Sequence, residues 1–206
     1  MGDMLQSVMN YPQRALILDF VLAKQPAAAV LQQLLTLQEN YPPAVFQSNF
    51  TSLSTHDTPR VLTVLGENMA ALTQAVMLWT MLPGDQVGYY GDEAGLTGGA
   101  DPQNRKFYPW GRENQAVLAI YQQAAAWRRR PVLQNTAAFT GFTFGAGLGV
   151  VRESAGQSLV ALFNPTDQPM TFTPAQADLR YLTTDQQALL RAATLSPHGQ
   201  VIQSSD

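Results

Sequence analysis

His56 and Asp57 are adjacent ionisable residues inside a polar stretch, SLSTHDTPR, at residues 52–60. A neutral imidazole can donate a hydrogen bond to a hydroxyl group of a ligand, and a carboxylate can accept two. Neighbours in extended backbone point to opposite faces, so the two side chains need not pair, but both can reach a cleft at the end of a strand. The residues alone leave a second interpretation open, in which Asp57 caps the following helix and His56 is satisfied in the core.

The composition gives little support for a metal site or for a nucleophilic Ser or Cys side chain. The chain has two histidines and no cysteine, which excludes disulfide bonds and thiolate metal sites. The histidines lack the paired spacing to carboxylates that a catalytic zinc site needs, and no motif of a Ser or Cys nucleophile is present. We therefore expect no metal and no other cofactor.

Charge and hydrophobicity exclude several classes of partner. The net charge of −3 gives no electrostatic basis for binding nucleic acid or an anionic membrane. The longest apolar runs are far shorter than the roughly 18 residues of a membrane span, and no signal peptide is visible. The lack of cysteines favours a cytoplasmic protein. Of the 206 residues, 46% are hydrophobic, enough for a sizeable core, and only 13% are charged, which predicts long structured loops or a surface that meets a partner.

The elements before the His-Asp stretch predict a strand-to-helix turn at that point, which is where α/β barrels place their chemistry. Periodicity and turn residues predict a strand at 4–9, helices at 13–24 and 26–40, a linker at 44–49 and a strand at 50–54.

The elements after it continue a strand–helix–strand order, which favours a parallel sheet. Asn68 is a cap candidate for a helix with one apolar face, interpreted as core: Met69, Leu72, Val76 and Trp79. A strand is predicted at 86–90 and a helix at 113–130, whose final arginines suit the negative end of its dipole. Between them, the Gly-rich loop 94–112 is long enough to indicate a function.

From residue 133 the pattern changes to short alternating runs divided by turns, at 138–146, 149–153, 158–163 and 169–172. Repeated short strands predict an antiparallel β-sandwich. We therefore expect two domains, at 1–132 and 133–206. His198 is interpreted as part of a surface turn in the second.

Three stretches resemble, in the correct order, motifs of the α-amylase superfamily (glycoside hydrolase family 13). The likeness is greatest to its cyclomaltodextrinase, neopullulanase and maltogenic amylase group. The stretches are MNYP at 9–12, SxHDTPR at 54–60, and YYGDExGLTGGxDPxxR at 89–105 with a tryptophan after it. The first is weak and the other two are specific. Together the likeness covers about residues 1–165, and 166–206 match loosely.

The resemblance implies roles for four residues. Asp57 matches the third catalytic carboxylate, which holds the 2- and 3-hydroxyls of the glucose at the cleavage subsite as the ring distorts. His56 matches the histidine that binds hydroxyls of the same sugar. Asp101 and Arg105 match a pair of loop residues that line the donor side of the cleft.

Other residues of these motifs keep two interpretations. Arg60 forms either a structural salt bridge or a contact with the sugar, and Tyr90 and Trp110 either stack on a sugar face or pack in the protein. Asp92 and Glu93 look like a catalytic pair, but neighbouring side chains diverge, whereas a retaining pair converges on one bond at about 5–5.5 Å. We interpret these two as structural.

The resemblance implies an α/β plus all-β fold: the last three βα units of a (β/α)8 TIM barrel, followed by a small antiparallel β-sandwich. The nucleophile Asp and the acid/base Glu belong to earlier strands, and no stretch here resembles their motifs. We therefore expect the C-terminal portion of a retaining α-glucan hydrolase that is inactive alone. The alternatives are a non-catalytic carbohydrate-binding remnant and a structural protein. Open strand edges also predict self-association or pairing with the missing N-terminal half.

Overall fold

The computed structural model describes residues 7–134, 138–154, 156–174, 179 and 182–205. Its N-terminal part comprises helices joined by short parallel strands, and its C-terminal part comprises antiparallel strands. The elements are α1 (Tyr11–Val21), α2 (Ala27–Glu39), α3 (Pro43–Ser48), β1 (Phe50–Thr51), α4 (Val61–Val64), α5 (Met69–Met81), β2 (Asp85–Gln86), α6 (Gln115–Arg128), α7 (Pro131–Gln134), β3 (Thr140–Phe144), β4 (Gly147–Ser154), β5 (Gln157–Phe163), β6 (Met170–Phe172), α8 (Thr184–Leu189), β7 (Ala193–Leu195) and β8 (Gln200–Ser204).

The first two predicted helices are confirmed, and the predicted linker at 44–49 is wrong. Asn10 caps α1 by accepting a hydrogen bond from the backbone N–H of Gln13 at 3.1 Å. Residues 43–48 form α3, which begins at Pro43 with Pro42 in the capping position. Proline suits the first turn of a helix, because the N–H that it lacks has no partner there. The Pro-Pro pair therefore starts a helix here.

Three parallel segments form the sheet of the N-terminal part. Phe50 pairs with Asp85 and Thr51 with Gln86, while Met9 forms a parallel bridge to Phe50 on the other side. The predicted parallel pairing is confirmed, but β1 and β2 are shorter than the strands predicted at 50–54 and 86–90. Of the strand predicted at 4–9, residues 4–6 lie outside the described residues.

Helix α5 fills the core behind this sheet, as its apolar face predicts. The side chain of Asn68 caps it by accepting hydrogen bonds from Ala70 N and Ala71 N. Leu72 and Val76 are fully buried, and Trp79 Nε1 donates to Thr51 Oγ1 at 2.9 Å. Packing and this hydrogen bond together fix the helix against β1.

Two arginines bind the carbonyl groups at the end of α5. Arg128 of α6 donates to Gly84 O at 2.6 Å and Leu82 O at 3.4 Å, and Arg152 of β4 donates to Met81 O at 2.7 Å. The last carbonyls of a helix lack intrahelical partners and carry partial negative charge. Arg128 thus binds the neighbouring helix end as well as lying in the last turn of its own helix.

The C-terminal part contains an antiparallel sheet in the order β3-β4-β5-β8 and a separate pair, β6-β7. Aromatic side chains pack between them, with the rings of Phe144 and Phe172 5.0 Å apart. The predicted antiparallel strands are confirmed. Helix α8 was not predicted, although Thr183 and Gln186 form a capping box at its start.

One hydrophobic core joins the two parts. Leu148 and Phe163 of the antiparallel sheet are buried in the same cluster as Leu72 and Val76 of α5. The predicted domain boundary at 132/133 lies inside α7, and it remains a prediction. None of the helices in the described ranges has both the length and the hydrophobicity of a membrane span.

Candidate active site

His56 and Asp57 lie in a tight turn after β1, and two threonines close that turn. Thr55 N donates to Thr58 Oγ1 at 2.9 Å, and Thr58 N donates back to Thr55 O at 3.3 Å. Asp57 N donates to Thr55 Oγ1 at 3.2 Å. These bonds satisfy backbone groups within the turn. The side chains of His56 and Asp57 are 53% and 62% exposed. We call residues 55–58 the His-Asp turn.

The two side chains of the pair contact each other, with His56 Nε2 3.3 Å from Asp57 Oδ1. Extended neighbours would diverge, but the backbone here turns, which brings the imidazole and the carboxylate to the same side. A carboxylate has about four acceptor positions, so Asp57 can still accept hydrogen bonds from ligand hydroxyls.

Tyr11 holds the other oxygen of the same carboxylate. Its hydroxyl donates to Asp57 Oδ2 at 3.3 Å and lies 3.3 Å from Thr55 Oγ1. Tyr11 follows the segment of Met9, and the His-Asp turn follows β1, so the carboxyl ends of two neighbouring parallel segments meet here. Sequence reasoning included Tyr11 in a motif but gave it no site role; its position at the end of a predicted parallel strand was the available signal.

Asp101 and Arg105 pair with each other and lie beside the turn. Arg105 Nε donates to Asp101 Oδ1 at 2.7 Å, and Arg105 Nη2 donates to the carbonyl oxygen of His56 at 3.4 Å. Both side chains are about half exposed. The structure therefore brings the predicted loop pair to the predicted catalytic stretch, 49 residues away along the chain.

Arg60 is fully buried and belongs to an ion pair. Its Nη1 lies 3.0 Å from Asp92 Oδ1, its Nε donates to Asn104 O at 2.9 Å, and Nη1 also donates to Tyr90 O. The guanidinium carbon lies 4.1 Å from the ring centre of Tyr89. A guanidinium with no exposed surface offers no atom to a sugar. Its burial favours the salt bridge over the sugar contact, the two alternatives that the sequence left open.

Asp92 is the buried partner of that pair. Burial raises the pKa of Asp92 to about 6, against the opposing effects of hydrogen bonds from Ser54 and Arg60 and of the positive charge of Arg60. Its neighbour Glu93 accepts a hydrogen bond from Gly91 N at 2.9 Å. Both carboxylates therefore bind groups of the protein, as the structural interpretation of these residues predicts.

The two aromatic candidates differ in their surroundings. Tyr90 is partly exposed, and its hydroxyl donates to Lys106 O at 2.9 Å, which ties it to loop 94–112. Trp110 is 80% exposed and packs against Tyr108, with ring centres 4.4 Å apart. No hydrogen bond or ring contact connects Trp110 to the His-Asp turn in the part of the chain that the structure describes. Phe107, which sequence reasoning missed, is 98% exposed on the same loop.

Two further residues that sequence reasoning missed bind the backbone of the stretch. The fully buried Asn104 donates from Nδ2 to the carbonyl oxygens of Thr55, His56 and Thr58. Arg14 of α1 donates from Nε to Leu53 O at 2.8 Å. Asn104 lies between Asp101 and Arg105 in the loop motif, which was the only signal for it.

The parallel sheet exposes apolar side chains on the face that leads to the site. Met9, Phe50 and Val87 each leave more than a third of their surface exposed, and they line a hollow of about 140 Å³ that extends to His56. In the ranges that the structure describes, no group of three or more His, Asp or Glu side chains has the arrangement of a metal site.

Comparisons with known proteins agree with this architecture. A family model described as the catalytic domain of alpha amylase matches residues 2–148. An amylopullulanase from Thermoanaerobacter thermohydrosulfuricus is 38% identical over 162 residues, which cover 66% of this chain and 11% of that protein. A cyclomaltodextrinase from Geobacillus thermopakistaniensis (strain MAS1) is 34% identical over 141 residues, which cover 64% of this chain and 24% of that protein.

A solved structure extends the similarity to the whole chain. The ligand-free cyclic alpha-maltosyl-(1→6)-maltose hydrolase from Arthrobacter globiformis matches with a TM-score of 0.87 and 27% identity. The match covers 100% of this chain and 46% of that chain. The present chain therefore spans less than half the length of each of the three proteins.

Proposed function

Given that this chain belongs to the alpha-amylase family, we propose that it is part of a retaining α-glucan hydrolase and supplies the carboxylate that stabilises the distorted sugar. Its three parallel segments are the last three strands of a (β/α)8 barrel, and a β-sandwich follows them. The substrates are α-1,4- or α-1,6-linked glucans such as maltodextrins, cyclodextrins or starch. The relatives that support this substrate class include a cyclomaltodextrinase and an amylopullulanase.

One observation carries the proposal: the carboxylate of Asp57 is exposed and held by its neighbours at the end of a parallel strand. His56 and Tyr11 each fix one of its oxygens, and both oxygens keep free acceptor positions. Two adjacent hydroxyls of a glucose ring can bind such a carboxylate. These hydrogen bonds strengthen as the ring approaches an oxocarbenium ion, so they lower the barrier to glycosidic cleavage.

The chemistry of cleavage requires two carboxyl groups about 5–5.5 Å apart on opposite sides of the scissile bond. Asp92 is buried in its ion pair, and Glu93 accepts a hydrogen bond from the backbone. We therefore assign the nucleophile and the acid/base to the preceding βα units, and we expect no hydrolysis by the 206-residue chain.

The remaining site residues bind sugar around Asp57. His56 donates to a hydroxyl of the same glucose, and the Asp101–Arg105 pair contacts the donor side of the cleft. Trp110 and the partly exposed Tyr90 offer aromatic rings on which a sugar can stack. The exposed Met9, Phe50 and Val87 form the interior of the barrel and are covered by its preceding half or by self-association.

Binding and hydrolysis measured on the same samples test the proposal. Maltotriose binding is measured by calorimetry, and reducing-sugar release is measured from cyclodextrin, starch and pullulan. Wild type should bind maltotriose and release no sugar. Asp57→Asn should weaken binding, because the amide replaces one of the two acceptor oxygens with a donor, and the exposed control Asp185→Asn should bind like wild type. Hydrolysis by wild type that Asp57→Ala abolishes would overturn the assignment of the missing carboxylates. Binding that Asp57→Asn leaves unchanged would overturn the role of Asp57.

The non-catalytic alternative makes the same binding prediction, so a separate test distinguishes the two. If the chain is part of a hydrolase, the reading frame upstream of Met1 in the source DNA codes for the five preceding βα units. A stop codon or a frame shift immediately upstream would instead support a carbohydrate-binding remnant.

A further inference from the structure

We propose that Asn104 is a positioning residue that fixes the geometry of the His-Asp turn, an inference that rests on the proposed function of that turn. The amide acts through the backbone that carries His56 and Asp57, and it contacts neither side chain. The family motifs quoted above identify its neighbours, Asp101 and Arg105, as the sugar-binding residues of the loop.

The hydrogen bonds of Asn104 are concentrated on the turn. Nδ2 lies 2.8 Å from His56 O, 2.9 Å from Thr58 O and 3.3 Å from Thr55 O. Three of the four carbonyl groups of the turn thus converge on one amide nitrogen, whose two hydrogens are shared among them. Carbonyl oxygens repel each other, so this cluster needs a donor at its centre.

The orientation of the amide is determined by these partners. Its oxygen Oδ1 is buried and has no hydrogen-bond partner among the described residues. Exchanging the oxygen and the nitrogen would direct an acceptor at three acceptors. The amide therefore donates to the turn. Leaving its oxygen buried without a partner lowers the stability of the fold.

The backbone of Asn104 is anchored independently of its side chain. Asn104 O accepts from Arg60 Nε at 2.9 Å, and that arginine is held by Asp92. Gly98 lets the loop fold back toward this point, because a Cβ on Gly98 would lie 2.3 Å from Gln103 O. The donor is thus presented from a rigid base, which is what positioning to a fraction of an ångström requires.

Asn164 provides a control for Asn104, because it is a second buried amide that binds backbone carbonyl groups away from the His-Asp turn. Asn164 is also fully buried and also donates from Nδ2 to two carbonyl oxygens, of Gln168 and Ser196, at 2.8 and 2.9 Å. It lies beside the turn of His198, whose N–H donates to Thr166 O. The two histidines of the chain therefore report on two buried amides, although the oxygen of Asn164, unlike that of Asn104, accepts hydrogen bonds from Thr166.

The test compares Asn104→Ala with Asn164→Ala in the 206-residue chain. The ring signals of His56 and His198 are followed by NMR and assigned with His198→Asn, and maltotriose binding is measured by calorimetry. We expect Asn104→Ala to shift or broaden the His56 signals, leave those of His198 in place and weaken maltotriose binding roughly tenfold, the equivalent of one to two hydrogen bonds. We expect Asn164→Ala to perturb His198 alone and to leave binding unchanged.

Asn104→Ser provides the graded variant, because its hydroxyl retains one donor and should produce a smaller change at His56. A folded Asn104→Ala chain with unchanged His56 signals would overturn the proposal. Failure of both Asn104 variants to fold would also overturn it, since the residue would then belong to the core. If wild type does not bind maltotriose, the proposed function fails, and the NMR comparison still decides the role of Asn104.

Discussion

The hydroxyl of Tyr11 lies 3.3 Å from Oδ2 of Asp57, and this contact joins two residues that are 46 positions apart in the chain. Each residue follows a segment of the same parallel sheet, so the contact crosses the end of the sheet. His56 binds the opposite oxygen of the carboxylate, at 3.3 Å. Asp57 is therefore held on both sides before any ligand is bound.

Replacing Tyr11 with phenylalanine should loosen Asp57 without disturbing the fold. The change removes only the hydroxyl, which donates to the exposed Asp57 carboxylate and lies beside the buried Thr55 Oγ1. We expect maltotriose binding to weaken by roughly three- to tenfold, because about one hydrogen bond to a charged group is lost. Calorimetry on Tyr11→Phe and on the control Tyr41→Phe checks this. A decrease of the same size in both variants would contradict it.

Removing the charge of Arg60 should destabilise the chain strongly. Arg60→Met leaves Asp92 buried without its partner, and breaking a buried ion pair in this way costs about 3–5 kcal/mol of unfolding free energy. The double variant Arg60→Met/Asp92→Leu should recover part of that loss, because no unpaired charge remains. Urea denaturation of both variants measures these values. If Arg60→Met loses less than about 1 kcal/mol of unfolding free energy, the ion pair contributes little to stability.

The raised pKa of Asp92 predicts a specific dependence of stability on pH. Since the folded state binds this proton more tightly than the unfolded state, with a pKa of about 6 against an ordinary pKa of 3.8, the contribution of Asp92 to stability falls as the pH rises from about 4 to 6. The difference in unfolding free energy between wild type and Asp92→Asn should decrease by up to about 3 kcal/mol across this window and level off above it. Urea titrations at five pH values measure the slope. An increase with pH would mean that Arg60 lowers the pKa instead.

The contribution of Arg128 to stability, through its contacts with the end of α5, can be measured by comparison with the neighbouring Arg129. Arg128→Met removes donors to Leu82 O and Gly84 O, and we expect a loss of about 1.5–3 kcal/mol in unfolding free energy, typical of a hydrogen bond to a charged group. Arg129 is exposed, so Arg129→Met should change stability by less than about 0.5 kcal/mol. Equal losses in the two variants would contradict a specific role for Arg128.

The exposed apolar face of the parallel sheet should control self-association. Phe50→Thr with Val87→Thr reduces the apolar area of this face, so the double variant should shift the chain toward the monomer. Light scattering over a range of concentrations measures the change. Phe107→Ser is the control, because Phe107 is more exposed but lies on loop 94–112. A monomeric wild type at high concentration would refute the expectation.

Features that depend on neighbouring residues in the sequence were predicted well. The cap of α5 at Asn68 and its buried face are examples, because both follow from spacing within one helix. Helix α3 was missed for a local reason as well: a linker was predicted at 44–49 although Pro43, directly before it, suits the first turn of a helix.

Features of the site that depend on distant residues were largely missed. Asn104 reaches a turn 46 to 49 positions earlier, and Tyr11 reaches Asp57 from the start of α1. No local pattern encodes such a contact; only the register of the sheet and the fold of loop 94–112 create it. The family motifs identified Asp57, Asp101 and Arg105 as one group, and the structure places the loop pair beside the turn.

The anchoring of loop 94–112 limits how this loop can be engineered in the present chain. The guanidinium of Arg60 binds carbonyl groups at both ends of the segment from Tyr90 to Asn104, and Arg60 N donates to Gly98 O within it. If loop 94–112 were transplanted without Arg60 and Asp92, the loop would lack these contacts. Asn104 would then not be held in position to donate to the turn of the recipient protein. Residues 54–60 and 89–105 therefore form one structural unit, and grafting experiments on this loop should move both segments together.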